Sequence, residues 1–161
     1  MPQSQKAVFK KEMERLVKIG VVERQLASES GSPAFIIPKA DYRVRFLTNF
    51  REMKKRIVRT PFPTPQLSST LQEMEGFTFT TTIDLNMGYY TIRLDPDAQK
   101  ISTIIPLWGK YSYLPLPMGV SGAPDIFQEK RSGLMCILKY VRTYIEDLLV
   151  IMIGTARIPI I

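Results

Sequence analysis

Residues 77–90 read FTFTTTIDLNMGYY, and this stretch decides the fold. Strand side chains alternate between faces, so Phe77, Phe79, Thr81 and Ile83 share one side and Thr78, Thr80, Thr82 and Asp84 the other. The pattern predicts a strand over Phe77–Asp84 that ends with an acid on its polar face, where the chain turns through Asn86-Met87-Gly88. A second stretch, residues 141–153 (VRTYIEDLLVIMI), places β-prone residues on both sides of Glu146-Asp147 and predicts a hairpin with carboxylates at its tip. Asp84 lies 62 residues before Glu146. If the two elements neighbour each other in one sheet, Asp84, Glu146 and Asp147 converge.

Composition narrows what such a cluster can do. The chain has 161 residues, no histidine and one cysteine, Cys136. A Cys/His zinc site, an internal disulfide and His-activated nucleophiles are excluded. Three clustered acids without histidine form a hard, oxygen-only site suited to Mg²⁺ or Mn²⁺. Without a cation they would repel one another and lose part of their charge. A bound divalent pair would clamp the attacking and leaving oxygens of a phosphoryl transfer. An isolated Glu-Asp pair more often does no more than shape a turn, so its meaning depends on the rest of the chain.

The net charge of +7 suits a polyanionic partner such as nucleic acid. Residues 39–59 concentrate it, with Lys39, Arg43, Arg45, Arg51, Lys54, Lys55, Arg56 and Arg59 opposed only by Asp41 and Glu52. The N-terminus is charged where a signal peptide needs an apolar core, and the longest apolar run, Leu148–Ile153, is far shorter than the roughly 20 residues that cross a bilayer. The expectation is an intracellular chain, not secreted and not membrane-bound.

Working outward, Phe9, Met13, Leu16 and Gly20 have helical spacing, with Gly20 as the stop. Residues 34–38 and 43–49 read as short strands, and residues 61–65 (PFPTP) as a stiff connector between lobes. Leu67, Leu71 and Met74 mark a short helix closed by Gly76. Further strands are predicted over 90–94, 101–105 and 111–114. A loop follows over 117–124, then a helix opened by Pro124 and running to about Tyr140.

The ordered blocks RVRFLTNFR (43–51), PFPTP (61–65), TTIDLNMGYYTIRLDPDAQK (81–100), WGKYSYLPLPMGVSGAPDIFQ (108–128) and YIEDLL (144–149) resemble the reverse transcriptase of gypsy-type LTR retrotransposons. The resemblance runs from about Glu12 to Leu149. It implies an α+β right-hand polymerase fold with fingers and palm, an antiparallel palm sheet backed by helices, and no thumb. The domains would then be a fingers-like part over 1–60, a palm-like part over 61–154 with a fingers contribution from about 90–120, and a divergent tail over 155–161.

The resemblance also implies roles. Asp84 matches the first metal-binding aspartate, and Tyr144-Ile145-Glu146-Asp147 matches the Tyr-X-Asp-Asp hairpin. Asp84, Glu146 and Asp147 would be both catalytic and metal-binding, with Mg²⁺ or Mn²⁺ as cofactor. Lys39 and Arg45 fall where the fingers hold the incoming triphosphate, and Tyr89 falls beneath the nucleotide sugar. Met118 belongs to the loop that lies against the nucleotide. Arg51, Lys54, Lys55, Arg56 and Tyr144 would meet the nucleic acid, and Phe127-Gln128 begins the supporting palm helix. The implied partners are an RNA or DNA template-primer and deoxynucleoside triphosphates.

Two departures stand out. Glu146 replaces the usual aspartate, and Tyr42 follows Asp41 where the family often has glycine. The implied function is RNA-directed DNA polymerization by a two-metal mechanism, impaired at Glu146. The alternative is a catalytically inactive, nucleic-acid-binding retroelement remnant.

Overall fold

The computed structural model describes residues 3–26, 28, 31–38, 44–63, 72, 76, 78–138 and 140–152. Lys39, the Asp41-Tyr42 turn, Arg43, Phe77, the helix expected over 67–74 apart from residue 72, and the tail over 155–161 lie outside the described residues. The fold is mixed α+β, and the chain divides into two units, each built from two segments: 1–58 with 89–123, and 59–88 with 124–161.

In the first unit, helix α1 (Gln3–Lys18) buries Phe9, Met13 and Leu16, the residues whose spacing marked it in the sequence. Gly20 ends it at φ 72°, a left-handed conformation that glycine adopts without strain. Strands β1 (Val22–Arg24), β2 (Ser32–Pro38), β3 (Val44–Thr48), β5 (Thr103–Ile105) and β6 (Tyr111–Tyr113) form a sheet in the order β1-β6-β5-β2-β3. Only the β2–β5 pairing within it is parallel. Phe9 meets Phe46 and Trp108 with ring centroids 5.6 and 5.3 Å apart, which fixes α1 to β3 and to the β5–β6 turn. Helix α2 (Arg51–Lys54) follows β3. Helix α3 (Pro96–Ile101) is capped by Asp95, whose carboxylate accepts from the backbone N–H of Asp97 and Ala98 at 2.9 and 3.0 Å.

Two sequence expectations change here. Residues 90–94 form no strand: Gly88–Thr91 is a 3-10 turn, and Arg93 makes only an isolated bridge to Pro115. Proline has no N–H with which to extend a ladder. The strand expected over 101–105 starts only at Thr103, because α3 holds Ile101.

In the second unit, β4 (Phe79–Asp84), β7 (Val141–Tyr144) and β8 (Asp147–Met152) form an antiparallel sheet in the order β4-β8-β7. Helix α4 (Ala123–Met135) ends earlier than its apolar spacing suggested. Phe127 of α4 is buried, as are Val141, Leu148 and Ile151 of the sheet.

The connector is tied to this unit by Asp125, which is buried and accepts from Arg59 Nε at 2.7 Å, Arg59 Nη2 at 3.1 Å and the Phe62 N–H at 3.2 Å. The Arg59 guanidinium, followed by the Phe62 amide, holds the Asp125 carboxyl below the usual carboxylate range. A depressed carboxyl stabilises the fold fully above its unfolded value of about 3.9 and loses that contribution as pH falls through the lower folded value. The protection factor of the Phe62 amide should therefore be high at neutral pH and fall only below about pH 4. Asp125→Asn should abolish that acid-triggered step, and an unchanged profile would rule out the latch.

Candidate active site at the carboxylate hairpin

β4 and β8 pair in a register that sets Asp84 directly opposite Asp147. Opposed residues of antiparallel strands present their side chains on the same face. The next ladder bond, from the Leu85 N–H to the Glu146 carbonyl at 3.1 Å, locks this end of the sheet. Tyr144 pairs with Asp147 across the hairpin, which leaves Ile145 and Glu146 as its two-residue tip. The structure thus brings together the strand end and the hairpin tip read from the sequence. Like charges placed opposite each other on a sheet destabilise it, so the Asp84–Asp147 pair is a place where a cation is favoured.

Glu146 senses its neighbours. Partial burial, followed by the charges of Asp84 and Asp147, raises its carboxyl above the usual range, and Arg131 acts in the opposite sense. The donor set is all oxygen, the kind Mg²⁺ and Mn²⁺ prefer. Among the described residues, however, no three acidic side chains gather tightly enough to hold a metal ion. The residues suit a divalent cation at the Asp84–Asp147 pair, and Glu146 does not complete a three-ligand cage.

The tip is held in an unusual conformation. Ile145 has φ 47°, which a β-branched residue rarely adopts. Its N–H donates to Gln128 Oε1 at 2.8 Å. The same buried side chain donates through Nε2 to the Thr143 carbonyl at 3.2 Å, to the Thr143 hydroxyl at 3.0 Å and to the Ser132 hydroxyl at 3.1 Å. Gln128 thus clasps the hairpin from α4 and offsets the cost at Ile145. Because asparagine tolerates positive φ, Ile145→Asn should stabilise the protein by about 1 kcal/mol, read as a higher denaturation midpoint. A lower midpoint would show that the Ile145 side chain, not its backbone, dominates.

Gly88 sits on the far side of the turn that follows Asp84, and a Cβ there would lie 2.7 Å from Phe127 Cζ. Glycine is needed for this approach of the turn to α4.

Sequence reading missed Arg131. Its side chain is buried at 4% exposure, lies over the Phe127 ring at 5.3 Å and donates through Nη2 to the Asp147 carbonyl at 2.9 Å. Its Nε and Nη1 have no hydrogen-bond partner among the described residues. Burial pulls its pKa below the ordinary guanidinium value, and the charges of Asp147 and Glu146 work against that pull. Asp125, Gln128 and Arg131 recur every three residues, so a polar seam on one helix face was visible. That the seam is buried beneath a hairpin was not.

Of the other expected site residues that are described, all but Tyr144 lie in the first unit. Arg45 is exposed on β3 opposite Ile37, and Arg51, Lys54, Lys55 and Arg56 are exposed on and after α2. Tyr89 is buried at 6% exposure in the 3-10 turn, and Met118 is exposed. Tyr144 ends β7 in the second unit, partly exposed. Among the described residues, no helix is long and apolar enough to cross a membrane.

No protein-family profile matches the chain. It is 26% identical over 156 residues to a retrovirus-related Pol polyprotein from transposon opus of Drosophila melanogaster, covering 92% of this chain and 16% of the polyprotein. It is also 26% identical over 153 residues to the transposon Tf2-3 polyprotein of Schizosaccharomyces pombe, covering 93% and 11%. The chain therefore spans less than a fifth of the length of these curated relatives. Among solved structures, a prototype foamy virus protease-reverse transcriptase superimposes with a TM-score of 0.84 at 23% identity, covering 96% of this chain and 21% of that one. A foamy viral protease-reverse transcriptase in complex with RNA/DNA hybrid gives 0.83 at 20% identity, covering 98% and 21%.

Proposed function

We propose that this chain, with its reverse-transcriptase-like fold and its sequence similarity to retrotransposon Pol polyproteins, is the fingers-and-palm part of an RNA-directed DNA polymerase of the gypsy type. The observation that carries this reading is the β4–β8 register, which opposes Asp84 and Asp147 and puts Glu146 in the adjoining tip. The reaction is attack of a primer 3′-hydroxyl on the α-phosphate of a deoxynucleoside triphosphate. Divalent cations, when bound, would neutralise charge on the oxygens being joined and released. Asp84 and Asp147 are the residues that would hold them. Arg45 and Lys39 would orient the triphosphate, since charged fingers contact phosphate best through bidentate guanidinium bonds. Tyr89 and Met118 would bound the nucleotide, and Arg51, Lys54, Lys55, Arg56 and Tyr144 would line the template-primer. A cytoplasmic or nuclear setting follows from this role.

Primer extension on an RNA template in Mg²⁺ or Mn²⁺ tests the reading. Extension by the chain or by its Glu146→Asp form is expected, and failure of both would refute it.

The exposed basic residues after β3 favour a second reading, nucleic-acid binding without catalysis. It predicts binding that needs no metal and weakens steeply with salt. Indifference to ionic strength would dismiss it.

A further inference from the structure

Within the first unit, α1, β1 and the β5–β6 hairpin enclose a cavity of about 360 Å³ that plays no part in the proposed reaction. Lys10, Glu14 and Lys18 follow one another at four-residue spacing on α1, so they line one face beside the buried stripe of Phe9, Met13 and Leu16. Arg24 pairs directly with Tyr111 across β1 and β6, which sets a guanidinium beside an aromatic ring. Trp108 completes the lining from the hairpin turn, half-buried and edge-on to Phe9 with an interplanar angle of 68°. The result is an apolar floor with two aromatic rings and a rim of three cations against one acid.

Aromatic platforms combined with tracking basic charge are how single strands are bound without sequence preference. The volume lies at the lower end of the range for small-ligand sites, about 300–1,000 Å³, which suits one base rather than a folded partner. The charge favours a polyanion over an apolar peptide. We infer that this groove is a single-stranded nucleic-acid site: a base lies against Trp108 and Tyr111 while neighbouring phosphates meet Lys10, Lys18 and Arg24. The inference rests on the chain being a nucleic-acid enzyme, but it places a strand contact outside the catalytic corner.

Trp108 is the chain's sole tryptophan, so its fluorescence reports this groove alone. Titration with oligo(U) at low salt should quench it, with a log–log salt slope of about −2 for three phosphate contacts at ~0.7 each. The Lys18→Glu/Arg24→Glu double variant should bind oligo(U) at least tenfold more weakly by the same signal. Its binding to a blunt RNA/DNA duplex, read by fluorescence anisotropy, should be unchanged. Silent Trp108 emission, undiminished quenching in a double variant with wild-type circular dichroism, or equally tight quenching by free UMP would overturn the proposal. Failure of the polymerase reading would appear elsewhere, as no primer extension alongside intact Trp108 quenching.

Discussion

Replacing Glu146 by aspartate should raise primer extension by about a hundredfold, because the extra methylene displaces a carboxylate by about an ångström and misplacement on that scale costs about that much. Asp84 and Asp147 are already set opposite each other by the β4–β8 ladder, so they need no adjustment. The third acid, Glu146, sits in the two-residue tip outside that ladder. Glutamate at the tip is partly buried and holds its proton more tightly than usual, chiefly through burial and then through the charges of Asp84 and Asp147. A shorter side chain draws the carboxylate back toward the strand end where Asp84 and Asp147 face each other. Steady-state extension on a homopolymer RNA template measures the gain. A rise of less than threefold would place the defect outside the hairpin.

Gln128→Met, close in volume but unable to hydrogen-bond through an amide, destabilises the hairpin unit by about 3 kcal/mol. The substitution leaves the Ile145 N–H without its acceptor, a loss worth about 1–3 kcal/mol for a buried donor, and it removes two amide N–H donors shared among three acceptors, worth about 0.5–1.5 kcal/mol per donor before relaxation. It also frees Ile145 from the contact that holds its positive φ. Hydrogen exchange at residues 143–147 should accelerate by about two orders of magnitude, and chemical denaturation should show the lowered midpoint. In the Glu146→Asp background, extension should fall at least tenfold. Unchanged exchange at the tip would mean that the strands alone fix its shape.

The sheet that carries the acids was legible because alternation in residues 77–84 and the flanks of Glu146-Asp147 are local signals, readable without knowing what packs on them. The meeting of Asp84 with Asp147 was not local, and only the order of blocks resembling a known family suggested it. What escaped was tertiary. β1 has three residues and exists because β6 offers it a partner. Helix α3 hid within an expected loop and strand, although Asp95-Pro96 is a cap followed by a proline at the first helical turn. Residues 90–94 looked β-prone, yet their neighbour is Pro115, which cannot continue a ladder. Arg131 carried no reading from the sequence, since nothing there announces that a hairpin closes over it.

The interleaving of segments, 1–58 with 89–123 and 59–88 with 124–161, also governs how the protein emerges from the ribosome. β1 and β2 must wait for β5 and β6, which are translated more than sixty residues later. β4 must likewise wait for β8. Early strands thus wait for later partners, although β2 can pair at once with β3, and a chain cut between residues 88 and 89 keeps only the first half of each unit.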